Sequence, residues 1–466
     1  MKSFQRYFQL SILLVLVIAF SACNTPTGSV PIQNTQANTP AVLPISTATP
    51  APTMTAPPGI FFVDPTVPSV TINPMVFGIN HGPWAFINQN TLPLAQQSGI
   101  TLIRIPGGNW GDENDLTTSH IDQFVQLARD MNAEVSLNVR LYNGSPEKAA
   151  DLVRYANIEK GYAIRYWGIG NEPTLYATSR SLPDYGVDQF NQEWRAIAEA
   201  MRAVDPSILL IGPELHQYGT SLQSTPKDPA GKDWMTEFLK VNGGMVDIVS
   251  IHRYPFPQGR GGQAASIEEL STSSAEWDQI IPYLRSVILE TTGRDLPIAV
   301  TEVNSHWSNA AGGPATPDSF YNAIWWADVL GRMLRNRVDM VNYFSLQSNP
   351  SIGGYGIFSR SAARPTYYVY EMYRKFGDQF VNAVSDDPRV GVYAALREDA
   401  TLTILFVNLS DEVVQKPFVI QGQSQFQADV WRFDEMIQTE LIGIESFISG
   451  EEISLPPQSL TLMVLK

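Results

Sequence analysis

Eight times between Met75 and Gly377, a short run of apolar and β-branched residues gives way to a stretch with helical spacing. The strand-like runs are MVFGIN (75–80), TLIRIPGG (101–108), EVSLNV (134–139), YWGIG (166–170), ILLIGPE (208–214), VDIVSIHRYP (246–255), PIAVTE (297–302) and DMVNYFSL (339–346). Stretches such as SHIDQFVQLARDMN and DQFNQEWRAIAEAMRAVD follow them, with apolar residues three and four apart. In SPEKAADLVRYAN, Ser145, Pro146 and Glu147 have the order of a helix start. Eight strand–helix units in succession predict an α/β fold, a (β/α)8 TIM barrel, rather than an open doubly wound sheet. No Gly-x-Gly-x-x-Gly follows the first strand and no P-loop occurs, which disfavours a nucleotide-binding fold.

The helical period ends near residue 376. RVGVYAALRE, ATLTILFVNLS, VVQKPFVIQG, QFQADVWRFD and SLTLMVLK are closely spaced strand-like runs separated by polar turns. They predict a C-terminal antiparallel β-sandwich over 376–466. The barrel then occupies 60–375, with 60–73 available as an extra strand of the sandwich. Two domains suit a chain of 466 residues.

The N-terminus is of another kind. Lys2 and Arg6 precede the apolar run LSILLVLVIAF, which is short for a membrane span and suits the core of a signal peptide over 1–22. FSAC follows, ending at Cys23, the only cysteine, so no internal disulfide can form. This junction resembles the lipobox of bacterial lipoproteins, which implies lipidation at Cys23 and a membrane anchor. Residues 24–59 are Pro/Thr-rich and nearly uncharged, the composition of a disordered tether. These features predict an exported, surface-anchored or secreted protein.

In a (β/α)8 barrel the site lies where the strands end. There the sequence delivers Asn80 and His81; Arg104, Asn109 and Trp110; Asn138, Arg140 and Tyr142; Asn171 and Glu172; Glu214 and His216; His252 and Tyr254; Glu302, Asn304 and His306; and Tyr343, Ser345 and Gln347. Polar residues at all eight ends of apolar strands mark a binding site. Two carboxylates facing each other across the mouth suit glycoside hydrolysis, and Glu172 and Glu302 are the candidates. The charge of −15 disfavours nucleic acid as partner and is compatible with a neutral saccharide. Trp84, Trp110 and Trp307 can stack on sugars or pack in the core.

Asn-Glu-Pro after strand 4 and Thr-Glu at the end of strand 7 resemble the signature of the clan A glycoside hydrolases. The resemblance covers about residues 75–375 and implies a retaining, double-displacement glycosidase. It implies Glu172 as acid/base, Glu302 as nucleophile, and Asn171 as the holder of the sugar 2-hydroxyl. It also implies Arg104 beside the nucleophile, with His252 or Tyr254 orienting it. FGIN, IRIPGGNW, GIGNEP and TEVNS are similar to pieces of families 39, 44, 51 and 79, whose substrates are xylosides, β-glucans, arabinofuranosides and glucuronides. Many clan members carry Trp near the end of strand 8, where this chain has NYFSLQ. Asn80, His81, Asn109, Trp110, Asn304 and Trp307 complete the expected substrate-binding set. The acid/base is expected to have a raised pKa, pushed up by the nearby nucleophile.

Other readings compete. Glu214 also ends a strand, as a rival nucleophile or a subsite or supporting residue. His81, His216, His252 and His306 lack His-Glu-x-x-His spacing, so neither metal nor cofactor is expected. A chelator-sensitive barrel hydrolase is the corresponding alternative. GDEND (111–115) reads as a solvated acidic loop with calcium as an option. The main alternative in function is a non-catalytic carbohydrate-binding lipoprotein on the same scaffold. A monomer is expected.

Overall fold

The computed structural model describes residues 57–67, 69–256, 264–307, 310–348 and 354–466. The signal-peptide segment, Cys23 and nearly all of the Pro/Thr-rich stretch lie outside the described residues.

Eight parallel strands close into a barrel. In order they are Gly78–Asn80, Leu102–Ile105, Glu134–Val139, Tyr166–Ile169, Leu209–Leu215, Ile248–Arg253, Ile298–Val303 and Met340–Tyr343, here barrel strands 1 to 8. Strand 8 closes on strand 1 with Asn342 opposite Gly78. Barrel strand 1 is shorter than its sequence run. Pro74–Phe77 forms a 3-10 turn instead, because Pro74 suits a first helical position and the Asn73 side chain accepts from the Met75 amide. Ser145 does cap its helix, accepting from the Lys148 amide at 3.3 Å.

The two ends of the barrel interior differ in kind. At one end Leu102, Ile211, Ile248, Ala299 and Met340 form an apolar plug with Met75. At the other, where the strands end, buried polar side chains converge.

The C-terminal region is one ten-stranded, mostly antiparallel sheet that curls on itself. Phe61–Asp64 joins it, antiparallel to Gln379–Ser385 and parallel to Val414–Ile420. The curl is visible in the rings: Phe418, near one edge, meets Phe406 at 5.2 Å and Phe426, near the other edge, at 5.7 Å. Alternate residues of Leu402–Asn408 serve two cores. Ile404 and Phe406 face the inside of the curl, while Leu405 and Val407 join the barrel core. Helix Phe320–Arg335 is the shared wall, with Tyr321 Oη donating to the Leu409 carbonyl at 2.6 Å and Tyr393 Oη to Asp328 at 2.5 Å. Among the described residues, no helix is long and apolar enough to cross a membrane.

Candidate active site

Glu302 is the penultimate residue of barrel strand 7, and its carboxylate sees only donors. Oε1 accepts from Arg104 Nη1 at 2.9 Å and from the Gly108 amide at 2.7 Å, and Oε2 accepts from Tyr254 Oη at 2.8 Å. Gly108 has φ 63, a left-handed conformation that lets the loop after strand 2 turn its amide onto Glu302. Burial and the neighbouring carboxylates hold the Tyr254 phenol well above its ordinary value, so it stays a donor.

Arg104, fully buried on strand 2, organises four side chains. Nη1 also donates to Asn80 Oδ1 at 2.8 Å, and Nη2 donates to Asn171 Oδ1 at 3.1 Å and Glu214 Oε2 at 3.3 Å. Burial opposes its charge, but Glu214 and Glu302 outweigh burial and raise its pKa further.

Glu172 follows strand 4 with φ 48, in the left-handed region, which for residues other than glycine tends to cluster at functional sites. Its Oε1 meets His216 Nδ1 at 2.7 Å and His252 Nδ1 at 3.0 Å. One oxygen of Glu172, one oxygen of Glu302 and one nitrogen of His252 all lie within 4.8 Å of one another. These three groups are near enough to surround a cation, but Arg104 already supplies a cation 2.9 Å from Glu302.

The expectation of a raised Glu172 pKa is corrected here. Burial does raise it, but the two imidazoles outweigh burial and hold the carboxyl well below the usual carboxylate range. Burial lowers the His252 imidazole, but the carboxylates of Glu302, Glu172 and Glu214 outweigh burial and bring it to about 9.

Several expected sugar-binding residues are otherwise engaged. Asn80 braces Arg104 and donates to the Thr301 carbonyl at 2.9 Å. His81 packs edge-on against Phe124 and Trp84, and its Nδ1 has no hydrogen-bond partner among the described residues. Trp110 packs edge-on against His120, and Asn304 donates to the Phe344 carbonyl. Trp307 is 43 % exposed. Asn109 accepts from Asn171 Nδ2 at 3.3 Å, so it stays at the site's edge.

One feature escaped the sequence. Asp112, in the supposed solvated loop, is fully buried and takes donors from the Leu141, Tyr142 and Asn171 amides and from Tyr176 Oη. It fixes the end of strand 4, and burial raises its pKa against those donors. Glu214 and His216, which the sequence placed together at the end of strand 5, flank Glu172 and His252.

The chain is similar in sequence to known glycosidases, and solved glycosidases share its barrel fold. It is 26% identical over 414 residues to endoglucanase A of Paenibacillus lautus, covering 76% of this chain and 56% of that protein. It is 22% identical over 453 residues to an exo-α-(1→6)-L-arabinofuranosidase of Bifidobacterium longum, covering 80% of this chain and 83% of that one. The chain thus spans little more than half the length of the Paenibacillus relative. The solved family 51 α-L-arabinofuranosidase of Thermotoga petrophila has the same fold, with a TM-score of 0.69, 17% identity, and coverage of 88% of this chain and 100% of that one. No family model matches the chain.

Proposed function

We propose that the protein is a retaining glycoside hydrolase, with Glu302 as nucleophile and Glu172 as acid/base. The observation that carries this reading is the approach of the two carboxylates, with an oxygen of each within 4.8 Å. Retaining enzymes hold their carboxyl groups ~5–5.5 Å apart, whereas inverting ones need ~6.5–9.5 Å to admit a water. Three donors, from Arg104, the Gly108 amide and Tyr254, hold the Glu302 carboxylate in place for attack on an anomeric carbon. Glu172 delivers a proton to the leaving oxygen and later takes one from water. Asn171, held by Arg104 and Asn109, presents an amide toward the 2-hydroxyl. Phe344 stands where Trp is common in the clan. Its ring approaches to 3.2 Å the point a Cβ on Gly108 would take, and Glu302 Oε1 is 4.0 Å from that same point. Trp84 at 5.9 Å and Tyr355 at 5.5 Å flank that ring, forming an apolar wall for a sugar face.

The substrate we propose is a neutral polysaccharide or oligosaccharide. The relatives carry endoglucanase and arabinofuranosidase names, which makes β-glucans and arabinofuranosides the first substrates to test. Hydrolysis of a panel of aryl glycosides and oligosaccharides, with product configuration followed by NMR, tests the reading. Retained configuration is the expected result. Inverted product, or binding with no turnover on any member, overturns it, the latter in favour of a carbohydrate-binding protein.

We also propose that the protein acts outside the cell anchored through Cys23, on the basis of the FSAC junction and the tether behind it. Cys23→Ala should move the protein from the membrane to the soluble fraction. Retention at the membrane overturns the anchor.

A further inference from the structure

Glu214 has no part in the displacement just described, yet it is fully buried beside it. Its Oε2 accepts from His252 Nε2 at 2.8 Å, from Arg104 Nη2 at 3.3 Å and from Thr301 Oγ1. Its Oε1 lies against Gly168, 2.9 Å from where a Cβ there would stand. Glu214 is 0% exposed, so it stands behind the open mouth rather than lining it.

His252 spans the gap between this acid and Glu172, with Nε2 on Glu214 and Nδ1 on Glu172 Oε1 at 3.0 Å. Other ionisable groups face the cluster. Glu302 Oε2 is 3.8 Å from Nδ1, Tyr254 and Arg104 hold Glu302, His216 holds Glu172, and burial together with Glu302 and Glu172 raises the Tyr355 phenol. An imidazole with a carboxylate at each nitrogen has two arrangements with the same number of protons. In one, both nitrogens donate and Glu172 is a carboxylate. In the other, Glu172 carries the proton and Nδ1 accepts it. In both, Nε2 must donate, because Glu214 is held as an acceptor by Arg104 and Thr301.

We propose that Glu214 is a positioning residue that fixes the Nε2 proton of His252, so that Nδ1 stores the proton Glu172 uses. This rests on Glu172 being the acid/base. As the glycosidic C–O bond breaks and the anomeric carbon bonds to Glu302, the proton of the Nδ1–Glu172 hydrogen bond passes to the leaving oxygen. Glu172 is then a carboxylate and His252 neutral, with Nε2–H still on Glu214. When water attacks, its oxygen bonds to the anomeric carbon, Glu302 is released, and the water's proton returns to the Glu172–Nδ1 pair. An acid/base whose own carboxyl is held low thereby keeps a proton at hand.

The test is Glu214→Gln in the full chain, which keeps the volume and an acceptor for Nε2 but removes the charge. Losing an opposite charge at this distance should lower the His252 titration by about one unit or more. NMR of the His252 ring nitrogens reads that shift without any substrate. With a substrate of poor leaving group, the alkaline limb of kcat/KM should move down by the same amount. A purely structural role would lower kcat at every pH and leave the limb in place. Glu214→Asp, which keeps the charge on a shorter arm, should fall between wild type and Glu214→Gln in both readouts, and it serves alone if the Gln variant does not fold. An unchanged His252 titration in the folded variants overturns the proposal. A shifted titration in a protein that hydrolyses nothing on the panel keeps the proton placement and removes the glycosidase reading.

Discussion

The same eight strands fill the barrel in opposite ways at their two ends. At the start of the strands, Leu102, Ile211, Ile248, Ala299 and Met340 meet as an apolar plug. At their close, Arg104, Glu172, Glu214, His252 and Glu302 are buried together. Burying apolar surface stabilises the fold, whereas buried charges carry a desolvation cost that pairing only partly offsets. Stability is therefore concentrated at one end and chemistry at the other. Left-handed backbone at Glu172 (φ 48) and Glu214 (φ 59) adds strain at the charged end.

The sharpest contrast comes from Glu302→Ala. Without a nucleophile no covalent intermediate can form, and turnover should fall on the order of 10⁴-fold or more on every substrate. Arg104 would keep Glu214, Asn80 and Asn171 as partners, so the folded structure should persist by circular dichroism. Glu172→Ala should be selective. Poor leaving groups need the proton and should slow by roughly 10²–10⁴-fold, while activated aryl glycosides should still form the intermediate. Azide needs no general base and should then release a glycosyl azide of retained configuration. Azide rescue of Glu302→Ala with that product, and none of Glu172→Ala, would mean the two roles are reversed.

The opposite end should answer in the opposite way. Ile211→Ala removes a fully buried side chain from the plug and should destabilise the protein by about 2–5 kcal/mol. Urea unfolding measures that loss, and kcat of the folded fraction should stay within roughly twofold of wild type. A large loss of kcat with little loss of stability would erase the division between the two ends.

What the sequence could reveal followed the same line. The repeated strand–helix pattern exposes the barrel because its apolar periodicity is local to each segment. Polar residues at every strand end expose the site for the same reason. Partners were not legible. His252 and Glu214 are 38 residues apart and Arg104 and Glu302 are 198 apart, so only the closed barrel brings them together. The direction a side chain takes past the last strand residue was hidden as well. His81 packs its ring against Phe124 and Trp84, while Asp112, in the helical turn Trp110–Glu113, turns its carboxylate onto the Asn171 amide. In the C-terminal region the strand Glu440–Ile448 was missed, since an exposed edge strand carrying Glu440, Gly443 and Glu445 lacks a buried-strand pattern.

His81 supports the smallest of these tests. It sits at the charged end but belongs to the packing around it, with its ring against Phe124 and Trp84. Burial lowers its pKa to about 4, so it stays neutral in the folded protein. In the unfolded chain an imidazole titrates near ~6.5. A folded value below the unfolded one means that the unfolded state binds more protons in between. The stability His81 allows is therefore whole above about pH 6.5 and is lost as the pH falls from there toward 4. At pH 5.5, about one unit below the unfolded value, the loss should be about 1.4 kcal/mol. His252 works in the other window: its raised value gives stability that is whole below about 6.5 and lost as the pH climbs toward 9. Other groups titrate as well, so the useful quantity is a difference between two proteins. Unfolding free energies of wild type and His81→Phe, each taken at pH 7.5 and 5.5, isolate it. Wild type should lose about 1.4 kcal/mol more than the variant between those pH values. Equal losses would mean that His81 is protonated in the folded state, and that the charged end of the barrel extends outward to include it.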